Sequence, residues 1–176
     1  ELSARYRVPI VEDLALRHVD QGIALARRRD HLFSQTIALA YAALVHQLRR
    51  DSRRVLEYAE GVVTLCERYG FAYYGDWARV LLGWVYGQDE PTRGIQTIES
   101  ALERLDAQRA QARRPYYLSL LADTYRLAGQ PDRAAHLSDL AVAALAKGNG
   151  QQRRWLVALD GRSGVDIGGG GAPAVD

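Results

Sequence analysis

Few residues of this chain stand at spacings that catalysis or metal binding demands. The four histidines are His18, His31, His46 and His136. No two lie four apart, as a helical metal site needs, and no HExxH is present. His46 recurs at a position held in later units by Tyr86 and Tyr125. That favours a packing role for it, and the other three read as structural or exposed. The single cysteine, Cys66, excludes an intrachain disulfide and a Cys-based zinc site. It stands among Val62, Val63 and Leu65, so a buried thiol is expected rather than a reactive one. The glycine run at 168–171 lacks a Gly-Lys-Ser/Thr sequence and follows no predicted strand, so it is no phosphate loop. Asp123, Asp132 and Asp139 fall on different faces and turns. They make no acid/base pair, and no Ser-His-Asp arrangement follows from spacing. No catalytic residue, cofactor or metal is predicted.

The remaining candidates are binding residues. Arginines cluster at 27–29, 49–50, 53–54, 113–114 and 153–154, and Lys147 is the lone lysine. Most of the clusters fall at helix ends, where cations suit the C-terminal dipole. A nucleic-acid site would need them merged into one stripe with a larger charge excess. The net charge is only +2, which argues against nucleic acid as a partner. An aromatic set is more informative: Phe71, Tyr73, Tyr74, Trp77, Trp84, Tyr116 and Tyr117.

The elements that position these residues must come from a chain of 176 residues, 48% hydrophobic and 25% charged. That is globular composition, and it excludes disorder for most of the chain. No stretch approaches the roughly 20 apolar residues that span a bilayer, and no secretory signal is visible. A cytoplasmic location without membrane contact is expected. The chain begins at Glu1 and contains no methionine, which points to a piece of a longer protein.

Internal repeats organise it. Ala15, Val55, Gly94 and Ala134 stand 39 or 40 residues apart, and so do Gly22, Val62, Ala101 and Ala141. A second register holds Ala43, Gly83 and Ala122, followed three residues later by His46, Tyr86 and Tyr125. Each unit reads as two helices. The three-and-four apolar spacing predicts a helix over 34–50, with Asp51 as the next N-cap and Gly70 as a stop. The second unit covers 73–88 and 92–110 with a turn at 89–91, and the third covers 114–128 and 131–147 with a turn at 129–132. Pro91 and Pro115 suit first turns, where a missing N–H costs nothing. Residues 11–28 read as the second helix of a half-unit, and 1–13 as a partial or irregular N-terminal segment. Residues 14–147 carry the repeats, 148–160 a candidate capping helix with Trp155 and Leu156, and 161–176 a flexible glycine-rich tail.

Ala122, Tyr125, Gly129, Ala134, Ser138 and Ala141 stand at the small and aromatic positions of a tetratricopeptide repeat, which the third unit resembles. Small residues let helices approach, Tyr125 fills the space left, and Gly129 permits the turn. The period of about 40 exceeds the usual 34 and matches HEAT-type repeats. The small-residue pattern favours the tetratricopeptide reading. The segments AALVHQLRRD, ARVLLGWVYGQDEPTRGIQTIESALERL and RPYYLSLLADTYRLAGQPDRAAHL resemble the C-terminal helical repeats of bacterial STAND ATPase regulators. Such regulators carry an adenylate or guanylate cyclase domain, or a LuxR-type DNA-binding domain. The likeness spans residues 14–146, and the polar, glycine-rich end departs from it.

The resemblance implies an all-α, right-handed solenoid of about three and a half helical hairpins. It also implies that the first helix of each unit lines a concave groove, with Gln47, Leu48, Trp77, Val80, Trp84, Tyr116, Ser119, Asp123 and Arg126 facing it. Packing of Trp77 and Trp84 between repeats is the competing reading, as is pairing of Arg126 with Asp123. The implied function is non-catalytic: a sensor or docking arm of a signalling regulator that binds a protein, a peptide, an inducer or the ATPase domain of its own chain. Any cyclase or ATPase activity would lie in other domains. Self-association into a homo-oligomer through the N-terminal half-unit, and a stand-alone adaptor, are the alternatives.

Overall fold

The computed structural model describes the backbone of residues 2–147 and the side chains of residues 14–144. The described residues form seven helices and no strand, so the fold is all-α. The helices are α1 (Leu2–Arg28), α2 (Leu32–Leu48), α3 (Ser52–Tyr69), α4 (Ala72–Tyr86), α5 (Pro91–Ala107), α6 (Arg114–Leu127) and α7 (Pro131–Lys147). The expected capping helix at 148–160 and the tail at 161–176 lie outside the described residues.

One expectation needs correction. Residues 2–13 are not an irregular segment or the remnant of a separate helix; α1 runs unbroken from Leu2 to Arg28. Leu2, Ala4, Arg5 and Arg7 are strong helix formers. The segment contains no glycine at which to turn, and Pro9 alone does not break it.

Local chemistry sets the helix limits. Asp51 accepts a hydrogen bond from the Arg54 amide at 3.2 Å and so caps α3. Gly70 ends α3 in the left-handed conformation, φ 77°, with its amide on the Cys66 carbonyl. Pro91 and Pro115 lie in the first turns of α5 and α6. The start of α2 is capped by a residue not foreseen as a cap: the Nδ1 of His31 accepts from the Ser34 amide at 3.3 Å.

Each helix packs on the next in sequence, and α2 also touches α4, as α4 touches α6. The core runs from Val55, Ala59 and Val62 of α3 through Trp77, Leu81 and Trp84 of α4 to Ile98, Ala101 and Leu105 of α5. Ala122, Ala134 and Ala141 are buried at the α6–α7 contact. Buried Asp76, only 3% exposed, ties three helices together. It accepts from Arg104 Nε at 2.6 Å, from Gln108 Nε2 at 2.7 Å and from Arg79 at 3.3 Å. Arg79 in turn donates to Glu67 of α3 at 2.8 Å.

The tightest approach joins α4 and α5. A Cβ on Gly94 would lie 2.5 Å from the Gly87 Cα and 2.7 Å from the Gly83 carbonyl oxygen. These neighbours are backbone and cannot swing aside. Overpacking of this kind costs about 1–3 kcal/mol, more than the roughly 1 kcal/mol that Ala gains over Gly inside a helix. Gly94→Ala is therefore expected to lower stability in urea unfolding. Gly22→Ala in α1, where a Cβ meets nothing within 4 Å, is expected to leave stability unchanged or raise it.

Candidate partner-binding face

Helices α2, α4 and α6 are the ones that the sequence register expects as first helices of its units. Side chains from α2 and α6 meet across α4. The Tyr116 hydroxyl donates to Gln47 Oε1 at 2.8 Å, and both groups are buried. The expected groove lining is thus corrected in part. Gln47, Trp77, Val80, Trp84 and Tyr116 are buried between the helices, with Trp77 fully so. Leu48 and Ser119 are half-buried. Ser119 gives its hydroxyl to the Tyr116 carbonyl at 2.7 Å. Large rings two turns apart on α4 are drawn into the space between the flanking helices, because burying them removes the most apolar area from water.

What remains at the surface is a set of arginines over these rings. Asp123 and Arg126 pair within α6. Arg50, from the left-handed residue that follows α2 (φ 60°), joins the same carboxylate at 3.1 Å. Its guanidinium also stands 5.8 Å from the Trp84 ring centre. Two turns earlier on α4, Trp77 lies 4.1 Å beneath Arg113, which stands at the start of α6. Arg113 donates to the hydroxyls of Tyr73, at 2.5 Å, and Tyr41, at 2.6 Å. The indole N–H groups of Trp77 and Trp84 are buried without a hydrogen-bond partner. The Tyr117 hydroxyl is buried beside that of Tyr73, and burial pushes its pKa far up.

Exposed and half-buried rings continue the face. Phe33 packs edge-on against Phe71 at 5.1 Å and Tyr74 at 5.7 Å. Tyr74 meets Tyr73 at 5.1 Å, and Tyr41 meets Trp77 at 5.3 Å. An aromatic run therefore leads from Phe71 to Arg113. Sequence reasoning placed Trp77, Trp84, Asp123 and Arg126 here. It did not single out Tyr41, which falls within the helix expected over 34–50, and it read Arg50 and Arg113 only as members of arginine clusters. No spacing rule links Arg113 to Tyr41, because the contact bridges 72 residues.

The other candidate groups have structural surroundings. Cys66 is buried, and burial pushes its thiol up to about 11. Burial also lowers the pKa of His46, although Asp51 stands 3.4 Å from its Nδ1 and opposes the shift. His46 stacks on Tyr58 at 5.4 Å. Among the described residues no group of three His, Cys, Asp or Glu side chains is placed to hold a metal ion, and no helix is long and apolar enough to cross a membrane. Two surface cavities lie off the face. One, of about 700 Å³, is lined by Leu25, Ala26, His31 and Ile37 between α1 and α2. The other, of about 410 Å³, is lined by Glu99, Tyr125, Arg133 and His136.

Comparison with protein families, with curated proteins and with solved structures gave no match. The geometry of the face therefore stands on its own. It presents fixed cations and flat rings, which suit recognition.

Two outcomes check this description. Tyr116→Phe leaves the buried Gln47 oxygen without its donor, and a cost of about 1–3 kcal/mol is expected in urea unfolding. With its thiol raised to about 11, roughly one Cys66 in a thousand is ionised at pH 8. Cys66 is therefore expected to react with a thiol reagent far more slowly in the folded protein than in urea.

Proposed function

We propose that this chain is a non-catalytic, tetratricopeptide-like interaction or sensor module, an α-solenoid of helical hairpins that binds a partner on the face of α2, α4 and α6. Sequential helix packing with additional α2–α4 and α4–α6 contacts is what a stack of hairpins would produce. The observation that carries the reading is the grouping on this face of Arg50, Arg113 and Arg126 over Trp84, Trp77 and Asp123. Partly exposed arginines held in place over buried rings need little further ordering, and arginine is among the residue types that dominate binding energy. The likeness of the repeat segments to those of STAND ATPase regulators favours a signalling role. The partner is then an inducer, another protein or the ATPase domain of the same parent chain.

A second reading, self-association, rests on α1. Leu14 and Leu25 are 47% and 50% exposed there, and the apolar cavity beside α2 adjoins Leu25. Exposed apolar area of this kind drives pairing.

Pull-down from a lysate of the source cells, with light scattering of the purified chain, separates the two. Arg126→Ala is expected to weaken capture of the bound protein about tenfold or more. Arg93→Ala, on α5 and paired with Glu90, is expected to leave capture unchanged. Equal capture by both variants, together with a concentration-dependent dimer that Leu25→Asp abolishes, would replace the first reading with the second.

A further inference from the structure

The arginines that lie over aromatic rings differ in how their charge is answered. Arg50 meets Asp123. Arg93, over Tyr86, donates to Glu90 at 3.0 Å. Arg133 donates to the Tyr125 hydroxyl, which itself donates to Glu99 at 2.6 Å. Arg68, over Tyr69, is exposed, and water answers its charge. Arg113 is different. It is half-buried, stands over the fully buried Trp77, and ends on two neutral phenols. Among the described residues no carboxylate pairs with it.

A partly desolvated cation without a counter-charge is costly, and the cost is recovered when an anion arrives. The geometry around Arg113 suits that arrival. Trp77 blocks one face of the guanidinium, and the two phenols fix its fork, so little entropy remains to be lost. The fork has more N–H donors than the two phenols use. Tyr41 is 39% exposed, which leaves that edge of the fork open to the surface. Tyr41 accepts from Arg113, so its own proton remains to be donated onward, while the Tyr73 hydroxyl faces Tyr117 as well and holds the other arm of the fork.

Building on the partner-binding reading above, we infer that Arg113, with the hydroxyls of Tyr41 and Tyr73, is a preformed receptor for a carboxylate of the partner, carried on an acidic side chain beside an apolar one. The aromatic run of Tyr74, Phe33 and Phe71 receives the apolar neighbour. A carboxylate fits better than a phosphate because the site offers one unanswered charge. The nearby Arg50 and Arg126 already share Asp123, and a planar monoanion matches a fork held in plane.

The test is an NMR titration of the full 176-residue chain, following the side-chain Nε–Hε signals of its arginines. N-acetyl-Glu-amide is the carboxylate probe and inorganic phosphate runs in parallel. The Arg113 signal, assigned by its loss in Arg113→Lys, is expected to shift and saturate in the millimolar range, while Arg68 and Arg93 drift without saturating. Tyr41→Phe is expected to weaken the probe several-fold, with phosphate binding no tighter than the carboxylate. An Arg113 signal that drifts like that of Arg68 would overturn the receptor and leave a structural latch. Phosphate binding tenfold tighter would overturn the carboxylate assignment. The wild-type titration decides even where a variant folds poorly. Failure here with Arg126-dependent capture intact removes only the receptor. A saturating titration without any captured protein removes the partner reading and keeps the site.

Discussion

Everything in this fold leans on how closely α4 can be approached. Gly87 is the point of least clearance. Its Cα occupies the place a Gly94 side chain would take, and its own missing side chain makes room for the Thr124 methyl, 2.5 Å from where a Cβ would stand. Three helices, α4, α5 and α6, thus converge on one residue without a side chain. Once Gly94 is seated, Ile98, Ala101 and Leu105 follow along the same stripe of α5 and are buried. At the far end of that stripe Arg104 and Gln108 reach Asp76. Apolar contact draws the helices together, and the buried carboxylate admits only the register in which its donors arrive, because an unpaired buried charge is far more costly than a slipped apolar contact.

The same closeness shapes the face. With α5 and α6 held against α4, α2 and α6 come near enough to share hydrogen bonds over its top. Gln47 meets Tyr116 there, Arg50 meets Asp123, and Arg113 meets Tyr41. Each contact bridges helices more than a full repeat apart in sequence. The rings of Trp77 and Trp84 are thereby taken into the core, and each carries an arginine on its outer side. The face is less a hollow than a floor of indole with cations laid over it.

Apart from the start of α1, helix positions were legible to within a few residues because capping chemistry is local. Asp51, Gly70, Pro91 and Pro115 mark ends with their own side chains or lack of them. The small residues Gly83, Gly94, Ala122, Ala134 and Ala141 were legible through their period. The partners they approach were not, since period says nothing about distance. The face was legible by residue type and misread by depth. A register that puts Trp77 and Trp84 on first helices cannot tell that α2 and α6 close over them. Arg113 was hidden because its partners, Tyr41 and Tyr73, come from two earlier units. Likewise, Asp76 shows only its i,i+3 pairing with Arg79 in the sequence, and not the bonds to Arg104 and Gln108 that make it a tie between helices.

The central claim is that partners engage the α2–α4–α6 face. Hydrogen exchange of the chain with and without its captured partner tests it most directly. Protection is expected at the start of α6 and the loop before it, at the end of α2 and along the outer turns of α4, while α3, α5 and α7 keep their free rates. Protection confined to α1 and the neighbouring turn of α2 would contradict the claim, because it would place the working surface on the N-terminal helix.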